Sequence, residues 1–112
     1  VLGDFNDYDD AIPDLNGHRP ITRTLALVKA AGPGPDDDLY NVMAEVPQHD
    51  RFTVFYDADE DWQVEWPELA AIDHVLLSPR LRARLREVHY VQAYDPRTVT
   101  DHFPIVVILA PR

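Results

Sequence analysis

Apolar residues fall in short blocks separated by stretches dominated by acid, proline and glycine. Val1 and Leu2 read as the end of a buried strand that turns at Gly3. Side chains alternate along extended backbone, so Asp4 and Asn6 are expected on one side of that strand end. Asp7 to Pro20 carries Asp-Asp, Pro-Asp and Asn-Gly pairs, the signals of a solvated loop. The spacing of Ile21, Leu25 and Val28 predicts a helix over Ile21 to Ala31, closed by Gly32. After the Gly32-Pro33-Gly34-Pro35 break, Asp36 to Asp38 supply a cap for a second short helix, Leu39 to Val46, which Pro47 stops.

Phe52 to Tyr56 has the aromatic and β-branched content of a strand. A second acidic loop, Asp57 to Glu68, carries Trp62 and Trp66. These indoles are expected to pack on the domain or on a partner, with stacking against a substrate as the functional reading. Leu69 to Leu77 is a strand whose nearly continuous apolar end implies burial on both faces. Ser78-Pro79 opens a short helix as N-cap and first-turn proline, with Leu81 and Leu85 on one side. Arg80, Arg82, Arg84 and Arg86 read as its solvated face. Val88 to Tyr94 and His102 to Ala110 are the last strands, a hairpin through the Asp95-Pro96 turn. Consecutive strands without long helices imply antiparallel pairing.

Composition narrows this picture. With 112 residues, 46% apolar and 27% charged, the chain fits one small folded domain, residues 1–112. A formal charge of -10 works against a sequence-independent grip on nucleic acid, although a divalent metal would reverse the sign locally. Without cysteine there is no disulfide framework or thiolate site, and the redox compartment stays open. Phe103 to Ala110, the longest apolar run, is far too short to span a membrane. The chain begins inside a strand with no initiator Met or signal peptide, so it is expected to be a piece of a longer protein whose localisation is unknown. The first acidic loop fails as a calcium loop: counted from Asp4, Asp9 stands where glycine is needed and Leu15 where a bidentate Glu is needed.

Three stretches set acidic or imidazole groups against apolar strands: Gly3-Asp4-Phe5-Asn6, then Ile72-Asp73-His74-Val75-Leu76-Leu77-Ser78, then Thr100-Asp101-His102-Phe103-Pro104-Ile105. Taken singly, such Asp and Asn residues are turn or capping residues more often than catalysts. In this order they resemble the endonuclease/exonuclease/phosphatase superfamily, which includes deoxyribonuclease I, exonuclease III and the inositol-polyphosphate phosphatases. The resemblance runs over nearly the whole chain and covers the C-terminal half of that family's domain. It implies an α/β (α+β) fold, half of a four-layer α/β/β/α sandwich, with one mainly antiparallel sheet and helices on one face.

The resemblance further implies a phosphoesterase that uses Mg2+ (or Mn2+), a nuclease or phosphodiesterase in the intact domain. Asp4 would orient or deprotonate the attacking water, and Asn6 would hydrogen-bond that water or a phosphate oxygen. His102 would donate to the phosphate, Asp73 would orient His102, and Asp101 with Asp4 would serve the metal. His74, adjacent to Asp73, should face the other way and is read as structural; His18, His49 and His89 have no partner at a metal spacing. One alternative is a phosphatase or phospholipase-type member acting on a small or lipid phosphate, which the acidic balance favours; another is a non-catalytic binding half-domain. The family's Asn and Glu metal ligands belong to its N-terminal half, and Asp4 and Asp101 alone make a poor Mg2+ site. The chain by itself is therefore expected to be inactive. Its expected partners are the missing N-terminal half or a second copy of the chain, and a phosphate-ester substrate, with nucleic acid among the candidates.

Overall fold

Strand β5, Asp73–Leu77, lies at the centre of a three-stranded antiparallel sheet in the computed structural model, which describes all of residues 1–112. β1 (Leu2–Asp4) pairs along one edge of β5 and β2 (Tyr40–Asn41) along the other. Flanked on both edges, β5 buries His74, Leu76 and Leu77, as its apolar run implies. Gly3 sits opposite His74 at φ +149, a conformation a side chain would strain, which explains glycine at this turn.

The remaining strands form two further antiparallel pairs. β3 (Val54–Phe55) pairs with β4 (Leu69–Ala70), and β6 (Leu85–Tyr90) forms a hairpin with β7 (Ile105–Leu109). The late strands thus pair antiparallel as expected, but in three small sheets rather than one. The class is α+β with little helix: α1 is Thr24–Lys29, and α2, Pro79–Arg82, is capped by the Ser78 hydroxyl accepting from the Leu81 N–H. No helix is long and apolar enough to cross a membrane.

Several elements depart from expectation for identifiable reasons. The first helix is trimmed to six residues because the carboxylate of Asp7 takes the backbone N–H of Ile21 and of Thr22, holding its expected first turn outside the helix. The second helix is replaced by β2 and a 3-10 turn at Val42–Glu45, because Asn41 uses its side-chain oxygen to accept from the Met43 N–H. The basic stretch is only partly solvated: the Arg82 guanidinium lies 3.8 Å over the Tyr40 ring, and Arg84 donates twice to the Ala110 carbonyl.

The largest departure lies in the first acidic loop, which is solvated at Asp10, Ala11, Pro13, Gly17 and Arg19 but buries three of its carboxylates. Asp7, Asp9 and Asp14 are 1%, 4% and 2% exposed and act as internal acceptors. Asp9 receives both Lys29 Nζ (2.7 and 3.0 Å) and Asn41 Nδ2 (2.9 Å). Asn41 Nδ2 also donates to His74 Nδ1 at 3.0 Å, so His74 must carry its proton on Nε2, which donates to the Asp7 carbonyl at 2.9 Å. Asp14 accepts from the backbone of Asn16, His18 and Ala71, tying the loop to the segment leading into β5. Buried polar groups are costly unless every partner is present. Asn41→Ala therefore leaves His74 Nδ1 and the Met43 N–H without partners and is expected to cost about 2–4 kcal/mol, read as a lower urea midpoint.

Candidate active site

Asp4 and Asp73 stand directly opposite each other across β1 and β5. Like charges in this position repel, and an imidazole relieves the repulsion. His102 Nδ1 lies 2.9 Å from Asp73 Oδ2, while its Nε2 faces Asp4 Oδ2 at 3.9 Å and Asp101 Oδ1 at 3.8 Å. One nitrogen is thus engaged, and the other is left within reach of two carboxylates on an open side. His102 and Asp4 are 35% and 50% exposed at the side chain, and Asp73 only 19%. The crevice, about 320 Å3, is lined by Asp4, Asp73, Thr100, His102, Phe103 and their neighbours.

The backbone holding His102 is fixed from several directions. Its N–H donates to Thr100 Oγ1 (3.1 Å), its carbonyl accepts from the Tyr94 hydroxyl, and it forms a bridge to Val54 of β3. Phe103 then sinks into a cluster with Phe55 and Leu69, against Phe52 and Tyr94. Asp73 is held by Thr53, whose fully buried hydroxyl accepts from the N–H groups of Ile72 and Asp73, both at 3.1 Å. The carbonyl of the same threonine accepts from the Phe103 N–H at 2.7 Å. One residue therefore fixes both ends of the Asp73–His102 pair. Thr53 and Tyr94 did not emerge from the sequence as site residues. Their only signals are a lone polar position in an apolar strand and a tyrosine just before a turn.

Partial burial works against charge on His102, but the Asp73 hydrogen bond and the fields of Asp73, Asp101 and Asp4 outweigh it. Its pKa lies above the ordinary 6.5. His74 goes the other way, because burial disfavours its charge and its Nδ1 is already an acceptor. The reading of His74 as structural therefore agrees with its setting.

Asp4, Asp73, Asp101 and His102 converge; Asn6 does so only through its backbone. Its N–H donates to Asp4 Oδ1 at 2.8 Å, and with φ +49 it has left the strand, so alternation does not govern its side chain. The exposed carboxamide is tied to none of the four groups. Ligand atoms of Asp4, Asp73 and His102 lie within 4.8 Å of one another, so these groups could hold a metal ion. Asp73 is occupied by the imidazole, which leaves Asp4 as the open carboxylate of this cluster, and Asp101, 3.8 Å from His102 Nε2, stands outside it. One open carboxylate suits a hard cation only if the cation keeps most of its water or takes further ligands from elsewhere. Compared with family models, curated proteins and solved structures, the chain matches none.

The pair has a titration signature. A folded-state pKa above 6.5 means that His102 adds stability in full below that value and loses it as pH rises through the folded pKa; His74, with its lowered pKa, contributes in the opposite sense. Asp73→Asn should lower the His102 pKa, followed by NMR at its Cε1 proton. The stability difference between wild type and variant should be largest below the ordinary 6.5 and shrink as pH rises through the folded pKa of His102, which isolates its contribution from that of His74. Thr53→Val, which removes a buried acceptor from two partly buried N–H groups while preserving shape, should cost about 1–3 kcal/mol in urea unfolding and broaden the His102 signal.

Proposed function

We propose that the chain is the C-terminal half of a metal-dependent phosphoesterase, with nuclease or phosphodiesterase activity in the intact domain. The observation that carries this reading is the Asp73–His102 pair, with Nε2 directed between the exposed carboxylates of Asp4 and Asp101. Hydrolysis of a phosphate ester needs an aligned water, stabilisation of charge on the phosphoryl oxygens and an acceptor for the water proton. Asp4 is the group to orient and deprotonate the water. Protonated His102 donates from Nε2 to a phosphoryl oxygen as negative charge grows there, and Asp73 keeps the ring charged and aimed. Asn6, on a strained exposed turn beside Asp4, offers a carboxamide to the same phosphate.

Asp4 and Asp101 are the residues that would hold Mg2+ (or Mn2+), and the ion, when bound, supplies neutralisation of phosphate charge and acidification of water. The remaining ligands fall to a complementary N-terminal half or a second copy of the chain, which completes a four-layer sandwich. In support, the hairpin leaves Val106 and Ile108 each 43% exposed and β1 leaves Leu2 75% exposed, apolar surface that suits a covering layer. The net charge of -10 favours a small phosphate ester over a long polyanion, so a phosphatase or phospholipase-type activity is the second reading.

In the protein that carries both halves, hydrolysis of bis-p-nitrophenyl phosphate should require Mg2+ or Mn2+ and vanish with EDTA. His102→Ala should lower kcat by about 10²–10⁴, the range for losing a positioned proton donor. The 112-residue chain alone should be inactive. Absence of metal-dependent hydrolysis of DNA, phosphodiesters and monoesters, with no effect of His102→Ala, would overturn the reading.

A further inference from the structure

Beside the imidazole crevice lies a second cavity of about 520 Å3, lined by Tyr56, Trp62, Arg97, Val99, Thr100 and Asp101 among others. It adjoins the first: Thr100 lines both, and Asp101 at its margin is the carboxylate 3.8 Å from His102 Nε2. The Phe55 N–H donates to the Asp101 carbonyl at 2.8 Å, which ties the strand carrying Tyr56 to the segment carrying Asp101, and both residues line this cavity. Three large apolar side chains on this wall are open to solvent: Tyr56 is 72% exposed, Trp62 66% and Val99 87%.

Trp62 is exposed at its ring and held through its backbone. Its φ of +61 is a left-handed conformation that a bulky residue rarely adopts. The N–H of Trp62 donates to Asp57 Oδ2 at 3.1 Å, and its carbonyl accepts from Arg97. Arg97 is itself clamped by two hydrogen bonds to Asp95, at 2.6 and 2.8 Å. Three of the guanidinium's five N–H donors go to these partners, and the ring is the largest open surface beside it. A backbone strained to present a large aromatic to water, at the rim of a cavity that ends on a reactive carboxylate, is poor design for stability and good design for contact.

We propose that this cavity is a substrate subsite in which Trp62, with Tyr56, stacks on a planar aromatic group carried by the phosphate ester. The proposal rests on the phosphoesterase reading and names its substrate class: esters bearing a flat ring, up to nucleoside size, rather than long-chain lipid phosphates. The cavity wall suits such a ring because its aromatic faces are bordered by Thr98, Thr100 and Asp57, polar groups that reward a ring with a polar edge and not an aliphatic chain.

The test uses non-hydrolysable phosphonates and the two indole N–H signals in NMR, with Trp66→Phe assigning Trp62. Phenylphosphonate should shift the Trp62 Nε1–H and the His102 Cε1–H, whereas methylphosphonate should shift His102 alone. Trp62→Ala should weaken phenylphosphonate binding roughly 5- to 100-fold, the range for losing one stacked ring, and leave methylphosphonate unchanged. Trp62→Phe should restore part of the difference. Trp62→Gly should raise Tm while losing the preference for the ring, an outcome a purely structural tryptophan would not give. A His102 shift with both ligands and none at Trp62 overturns the subsite and leaves the phosphoesterase reading standing. A Trp62 shift without any at His102 supports the ring site and counts against that reading. Tighter binding of octylphosphonate than of phenylphosphonate overturns the aromatic preference.

Discussion

The clamp made by Thr53 is the constraint on which the rest of the structure depends. Its hydroxyl takes two N–H groups at the entrance to β5, its own N–H donates to the Ala70 carbonyl, and its carbonyl takes the Phe103 N–H. Four hydrogen bonds therefore converge on one buried residue, between segments about 20 and 50 positions away in sequence. Each such bond contributes only about 1 kcal/mol net, but an orphaned buried partner costs more. The clamp thus sets geometry as much as stability: it fixes the distance from Asp73 to His102, and the Phe55–Leu69–Phe103 cluster keeps water away from it.

The strongly acidic composition conceals a division of labour. Asp7, Asp9 and Asp14 are buried and saturated by backbone amides, Lys29, Asn41 and His18. For Asp7, burial favours protonation, yet the Thr22 hydroxyl and three backbone amides outweigh it and its pKa falls; for Asp9, Lys29 and Asn41 do the same. These carboxylates replace a large apolar core as the glue of a loop-rich chain. Asp4 and Asp101 are exposed instead, with acceptor capacity to spare. Burial, not residue type, separates the carboxylates that hold the scaffold from those that stay open.

This division explains what the sequence could and could not reveal. The convergence of Asp4, Asp73, Asp101 and His102 was legible because each sits against an apolar strand, and strands place their ends predictably. The Ser78-Pro79 cap and the closing hairpin were legible for the same local reason. The fate of Asp7, Asp9 and Asp14 was not: an Asp-rich, Pro-rich segment looks solvated until distant partners such as Lys29 and Ala71 are known. The backbone of Asn6 was not legible because a carboxylate two residues earlier captures its amide and bends the chain out of the strand. The second helix was lost to the same competition, a side chain at Asn41 outbidding the backbone. The indoles were expected to pack on the domain or a partner, and Trp62 and Trp66 are 66% and 64% exposed because Asp57 and Arg97 in one case, and Asn16 in the other, fix the backbone rather than the ring.

The adjacency of Asp73 and His74 carries this argument one step further. Successive residues of β5 point to opposite faces, so one strand delivers a carboxylate to the open crevice and an imidazole to the interior. On the buried face, Asn41 fixes the proton of His74 on Nε2 and keeps the ring neutral. On the open face, Asp73 and its acidic neighbours favour the charged form of His102. The protein thus biases two histidines in opposite directions around a single strand, and it does so with the same acceptor chemistry. Placed in the interior, an imidazolium would be expensive, whereas at the crevice it offsets the repulsion between Asp4 and Asp73. A carboxylate pair facing across two strands is unfavourable alone, so an imidazole hydrogen-bonded to Asp73 and facing Asp4 is well placed to ease that repulsion where the sheet edge forms.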